Sequence, residues 1–464
     1  MTDWTLCSLA EAIRKHHVSA TEVMRQCLED IQQSKLNAFI SVDGEKALTA
    51  ANRLDALLDR GQIVGPLHGV PIGYKDLFFI DGMPASCGTA VPDYFVAERT
   101  ATAVSRLQNA GAITVGKLNM TELAMSPFGD NARYGDVRNP WSLDRCAGGS
   151  SSGSAAAIAG GLLTGALGSD TGGSIRQPAA YCGIVGLKPT YGRVSRAGVM
   201  PLSWSLDHVG PLGRTVQDVA LLLNQIAGHD SDDRSTSAIA VTDYVGGIDA
   251  RVDGLRIGIP QSYYWDGVEP DLRSSVFAAA DALGRLGCVL TKVDLPDPRH
   301  MNSISSLITR SEGCAAHGAF AQKHPDILAP AINDRLKLGY QISAYDYLQA
   351  QRLRSQLTRE FIRDVFATID IIITPVAPAV APLLQDMTVG QTDAVLERMG
   401  HLTSMTRPVN GLGLPAISVP CGFSESGLPF AFQLIGRPFD EASLLKVGHR
   451  YEQSFDWWRW RPGT

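Results

Sequence analysis

The sequence predicts an α/β architecture in which helices cover a largely parallel or mixed sheet. Two observations predict it. Short apolar runs of strand length alternate with longer helical stretches, and no convincing linker interrupts that alternation. Composition agrees: 45% of the 464 residues are hydrophobic and 19% are charged, the balance of a chain with a sizeable buried core. Length alone allows about three domains.

The elements follow in chain order. The first sixty or so residues read as helices. Ser8-Leu9-Ala10-Glu11 and Ser19-Ala20-Thr21-Glu22 both fit a capping box, in which serine and glutamate side chains satisfy orphan amides of a first turn. A third helix is expected over 45–60, where Ala and Leu dominate and Gly61 stops it. Beyond it, 71–74, 112–115, 255–259, 369–373 and 416–419 read as buried strands. Helical stretches lie near 101–110, 270–286, 343–367 and 440–454. The polar segment 230–237 reads as a surface loop within one large domain, because strand signals resume on both sides of it.

Charge and cysteine usage exclude several functions. A formal net charge of −6 argues against broad binding to a phosphate backbone, so no direct nucleic-acid partner is expected. Eight scattered cysteines with no Cys-x-x-Cys pair read as free thiols. No His/Cys pattern has metal-ligand spacing, and His16-His17 reads as part of a solvated helix end, so neither metal nor cofactor is expected. No basic-then-apolar leader and no run of 18 apolar residues is present, which makes a cytoplasmic protein without a membrane partner the expectation.

Chemistry concentrates in one stretch. Nine of the 28 residues over 147–174 are glycine, in two Gly/Ser clusters joined by an Ala/Ile/Leu segment. A flexible linker would not enclose a core-forming segment, and a phosphate cradle would carry Gly-x-x-x-x-Gly-Lys-Ser/Thr. Two tight loops joined by a small-residue helix remain. Thr171-Gly172-Gly173-Ser174 has the layout of a nucleophile with an oxyanion hole, since glycines let amides converge on one point and a following helix aims its first amides there. Serine needs a base, and no histidine is close in sequence. A buried, neutral lysine can serve instead.

Gly148-Gly149-Ser150-Ser151-Ser152-Gly153-Ser154-Ala155 followed by Gly168-Ser169-Asp170-Thr171-Gly172-Gly173-Ser174-Ile175-Arg176-Gln177-Pro178 resembles the signature of the amidase signature family. Gly69-Val70-Pro71-Ile72-Gly73-Tyr74-Lys75-Asp76 resembles that family's lysine motif, and Gly186-Leu187-Lys188-Pro189-Thr190 and Gly413-Leu414-Pro415-Ala416-Ile417 extend the match. The resemblance runs over about 8–455 and implies one large domain over 1–464, with a central twisted mixed sheet covered by helices on both faces and 1–62 as a helical N-terminal cover. It implies a Ser–cis-Ser–Lys triad: Ser174 as acyl-forming nucleophile, Ser150 as the bridging serine, and Lys75 as base. Ser152 competes with Ser150 within the serine triplet, but the 24-residue step from Ser150 to Ser174 matches the family. The amides of Thr171, Gly172, Gly173 and Ser174 would form the oxyanion hole, and Ser151, Asp170 and Arg176 would support the loop. Alone, Lys75 before Asp76 would read as a surface ion pair.

Substrate is less directly legible, because the fold and triad support many leaving groups. Ala124-Met125-Ser126-Pro127-Phe128 matches a loop that lines the acyl site in relatives, so Ala124, Met125 and Phe128, with Trp204, are candidates for the pocket wall; ordinary core is the alternative reading of Met125, Phe128 and Trp204. The wording around 169–196 is nearest to the amidase component of the Glu-tRNA(Gln)/Asp-tRNA(Asn) amidotransferases. Those proteins carry an acidic residue shortly before the Pro-x-Asn segment, suited to glutamine's amino group, whereas Thr403-Ser404-Met405-Thr406-Arg407 contains no carboxylate. The expectation is therefore a stand-alone hydrolase of a small-molecule aryl or small amide, carbamates and urea-like compounds included. The alternatives are the glutamine-hydrolysing subunit of a tRNA-dependent amidotransferase, or a non-catalytic scaffold subunit. The resemblance also suggests a homodimer. Trp457-Trp458-Arg459-Trp460 reads either as a docking patch or as aromatics covering the core.

Overall fold

The structure is a computed structural model that describes residues 4–387, 389 and 392–463. Its centre is a mixed sheet with eleven strands among the described residues. From edge to edge these are Phe39–Val42, Ile113–Leu118, Pro71–Lys75, Gly165–Asp170, His208–Gly213, Val185–Lys188, Ala416–Phe423, Pro429–Gly436, Ile371–Pro375, Arg256–Pro260 and Val289–Val293. The strand Pro71–Lys75 runs parallel to both neighbours, and the sheet turns antiparallel from Gly165–Asp170 through Pro429–Gly436. One sheet therefore spans both sides of the 230–237 loop, and the chain forms a single α/β domain flanked by helices.

The central strands are buried along their whole length; of these only Pro71–Lys75 is read from the sequence as a strand, because Gly165–Asp170 and His208–Gly213 are rich in glycine and carry polar residues. Helices Ser152–Ala159 and Arg176–Cys182 pack on each other and on these strands, as do Val216–Ile226 and Glu441–Glu452. The small-residue helix expected between the two Gly/Ser clusters is Ser152–Ala159, but the buried strand Gly165–Asp170 follows it.

Two local expectations are corrected, and one element goes unread. The first capping box is Thr5 with Ser8, one turn earlier than Ser8 with Glu11, because the apolar face begins at Leu6. The second box, Ser19 with Glu22, is present as read. The N-terminal segment is not all helix: Phe39–Val42 pairs antiparallel with Ile113–Leu118 as an edge strand, a tertiary pairing with no local signature. The longest helix among the described residues, Pro298–Lys323, is absent from the sequence reading because the face it buries carries Ser305, Glu312 and His317 among its apolar residues.

The C-terminal aromatics cover the core. Trp460 stacks on Phe423 at 4.9 Å and Trp457 stacks on Phe455 at 5.9 Å, although Trp460 remains 53% exposed. All eight cysteines are free. No helix among the described residues is long and apolar enough to cross a membrane.

Candidate active site

Strand direction explains where the polar groups gather. Pro71–Lys75 and Gly165–Asp170 are parallel neighbours with Tyr74 beside Leu167, so Lys75, Ser169 and Asp170 emerge together at their carboxyl ends. Open α/β sheets present ligand sites at that end, where the strand backbone stops pairing and loops take over.

Lys75 is fully buried, and its Nζ donates to Ser150 Oγ at 2.7 Å and to Ser169 Oγ at 2.8 Å. Burial lowers its pKa to about 7, partly opposed by the negative charges of Asp170 and Asp207. The surface ion pair with Asp76 is absent, since Asp76 pairs with buried Lys117 at 3.0 Å and accepts from the Ser86 hydroxyl. The Gly149–Ser150 peptide is cis. Gly149 must lack a side chain, because a Cβ there would come within 2.5 Å of the Ser126 carbonyl oxygen.

Ser174 stands at the mouth of the second loop, before helix Arg176–Cys182, and lines a cavity of about 240 Å³. Its carbonyl accepts from the Ser151 amide at 3.2 Å, while Ser151 Oγ donates to the Ser169 carbonyl, which ties the two Gly/Ser loops together. Gly173 has φ +133°, a conformation closed to side chains, and a Cβ there would overlap Thr406.

Asp170 organises this loop. Arg176 Nε and Nη2 meet its carboxylate at 3.0 and 3.1 Å, and Asn410 Nδ2 donates at 2.8 Å. Burial pushes the Asp170 carboxyl up, yet the Arg176 charge and these bonds outweigh it and hold the group well below the usual carboxylate range. The Gly173 amide also donates to Asp170, at 2.7 Å, and so is already occupied. The amides of Thr171, Gly172 and Ser174 have no internal acceptor among the described residues.

The expected pocket residues divide. Ala124 and Met125 line the Ser174 cavity. Phe128 does not: it is fully buried beside Cys146, Leu384 and Leu402, a core residue turned away from the cavity. Trp204 lies on an adjoining cavity that shares Ala124, Thr171 and Leu202 with the first and is lined also by Ser169, Arg196, Asp207 and His208; it is 43% exposed.

Sequence reasoning missed several residues at the site. Ser169 precedes Asp170 in the motif, and its position at a strand end beside Lys75 is the available signal. Asp207 accepts from Thr171 Oγ1 at 2.6 Å and from the Leu202 and Ser203 amides at 2.9 Å, and burial pushes its pKa up to about 6. His208 is buried with Nδ1 2.7 Å from the Leu206 carbonyl, and burial lowers its pKa well below the usual histidine value. Arg310, Arg335 and Arg407 line the Ser174 cavity from three separate helices, a convergence with no local signature.

A serine beside a buried lysine at the carboxyl end of a sheet defines the class of site, and comparison with known proteins agrees. The family model described as Amidase matches residues 22–445. The A subunit of the glutamyl-tRNA(Gln) amidotransferase of Geobacter metallireducens (strain ATCC 53774 / DSM 7210 / GS-15) is 39% identical over 487 aligned positions, covering 99% of each chain. A solved structure described as part of a vestigial protein complex revealing the origins of an s-triazine catabolic enzyme has a TM-score of 0.91 at 34% identity, covering 97% of this chain and 98% of that one. The structure of the glutamyl-tRNA(Gln) amidotransferase A subunit from Thermotoga maritima has a TM-score of 0.78 at 31% identity, covering 94% and 91%. The chain belongs to the amidase signature family, hydrolases acting on C–N bonds.

Proposed function

We propose that this chain hydrolyses the C–N bond of a small amide through an acyl-enzyme on Ser174. The observation that carries this reading is the 2.7 Å contact between Ser150 and a buried Lys75 whose pKa is lowered to about 7, beside a serine open to a cavity. At neutral pH a large share of Lys75 is uncharged and can accept a proton from Ser150. Ser150 in turn takes the proton of Ser174 as its Oγ attacks the carbonyl. The amides of Thr171, Gly172 and Ser174 stabilise the oxyanion, while the Gly173 amide holds the loop through Asp170. Collapse breaks the C–N bond, the protonated relay returns a proton to the departing nitrogen, and water releases the acid. Ser151, Asp170 and Arg176 keep the loops in register.

A second reading has its own support. The curated relatives at 39–40% identity over nearly the full chain are amidotransferase subunits, which favours glutamine hydrolysis within a multi-subunit enzyme. The cavity supports the stand-alone reading instead, since no carboxylate lines it among the described residues to meet glutamine's ammonium.

The test is a panel of small amides, aryl amides, carbamates, ureas and glutamine, assayed with the wild type and with Ser174→Ala, with and without the partner subunits of a relative. Turnover of a non-glutamine amide by the isolated chain, abolished in Ser174→Ala, is the expected result. Glutaminase activity seen only with partner subunits would establish the second reading. Failure of the folded chain to label at Ser174 with a fluorophosphonate would revive the scaffold alternative.

A further inference from the structure

Three guanidinium groups face the cavity that holds Ser174, and no carboxylate lines it among the described residues. Arg407 lies along the nucleophile loop, its Nε 3.7 Å from where a Cβ on Gly172 would stand. Its Nη2 donates to Thr403 Oγ1 at 2.5 Å, a neutral acceptor. Burial lowers the Arg407 pKa to about 10, with the charge of Arg310 as a second cause, so two like charges stand close together. Arg310 lines both this cavity and an adjoining outer recess shared with Tyr263, Asn302 and Ser404. Arg335 closes another side by donating to the Met125 carbonyl. Asp130 acts on Arg335 electrostatically, but burial pushes its carboxyl toward the neutral form and the Ser126 hydroxyl already bonds it.

None of the three arginines makes an ion pair with a carboxylate among the described residues. Elsewhere buried Arg176 pairs with Asp170 and Lys117 with Asp76, whereas Lys75, Lys188 and Arg214 meet only hydroxyls or backbone carbonyls and stand singly rather than as a cluster around a cavity. Clustered guanidiniums repel one another, and the partly buried Arg335 and Arg407 are costly to desolvate unless an anion joins them, while Arg310 stands exposed at the rim. Arginine also presents the planar donor fork that matches a carboxylate.

Resting on the amide-hydrolase reading above, we propose that the substrate is an amide carrying a carboxylate and no ammonium, with the carboxylate held by Arg407 and Arg310 while the amide carbonyl meets Ser174. A half-amide of a short dicarboxylic acid has this chemistry. An α-amino group would be repelled by the three cations, with Thr403 offering no countercharge.

The test compares succinamate with neutral butyramide, and glutaramate with glutamine, in the wild type, Arg407→Met and Arg310→Gln, each variant first checked by thermal melting. The expected result is a kcat/KM for succinamate at least about tenfold above that for butyramide, carried in KM, with the ratio collapsing in either variant. Glutaramate is expected to exceed glutamine. Calorimetric titration of succinamate into Ser174→Ala gives an independent readout: binding weakens with added salt and is lost when Arg407→Met is combined with it. Equal or better use of butyramide, an unchanged ratio in both variants, or preference for glutamine over glutaramate would overturn the proposal and leave amide hydrolysis standing. If no amide turns over and Ser174 does not label, the hydrolase reading fails, and the titration alone then decides whether the arginines bind an anion.

Discussion

The cradle of Lys75, Ser150 and Asp170 and the cavity in front of Ser174 touch one another, yet they treat charge in opposite ways. In the cradle, Asp170 and Arg176 are fully buried and paired, and the Lys75 amine is held by two hydroxyls and lowered toward neutrality. In the cavity, Arg310, Arg335 and Arg407 have no carboxylate partner among the described residues. Paired buried ions fix a loop geometry; unpaired cations around a space are arranged for something that enters it. On the proposed reading, groups that hold Ser174 in place are thus distinct from groups that select what reaches it.

The largest way to break that separation is Ser174→Ala. Loss of activity on the order of 10⁴–10⁶-fold is expected with the thermal melt unchanged, measured by steady-state kinetics on the preferred amide. Near-wild-type turnover would move the nucleophile elsewhere. Lys75→Ala should cost on the order of 10²–10⁴-fold. Wild-type kcat/KM should rise with pH through about 7 and then level, because the uncharged lysine is the active form and burial has lowered its pKa to that value. A pH profile without that rise would remove Lys75 as the base.

Asp170→Asn tests the cradle's pairing. It leaves the Arg176 charge buried without its counter-ion, so a loss of about 3–5 kcal/mol in denaturant unfolding is expected, together with lost activity. Phe128→Ala and Met125→Ala sharpen the boundary between core and cavity. Phe128, fully buried, should cost about 3–5 kcal/mol of stability. Met125, on the cavity wall, should mainly change KM, by about fivefold.

Particular residues show how far local reading reaches. Ser19 with Glu22, the small-residue helix and the strand at Lys75 carry their signals within a few residues, and all are found where the pattern puts them. Phe128 and Trp204 offer only size and neighbourhood to a reader of the sequence. Those properties cannot tell a wall that faces a cavity from one packed behind it, and both residues lie off the Ser174 cavity. Gly173 reads as an oxyanion donor because glycine exposes its amide. Which acceptor that amide meets depends on Asp170 folding back beneath it.

By itself, the sequence determined the α/β class, the two Gly/Ser loops, the lysine motif and the membership of one family. These depend on residues that act within a turn or a short motif. Tertiary structure alone decided that Phe39–Val42 is an edge strand, that Lys75 is buried against Ser150 and Ser169, and that Arg310, Arg335 and Arg407 surround one space. Burial and the meeting of charges set by distant segments are properties of packing. A guanidinium on one helix becomes part of a site only when other helices bring theirs beside it.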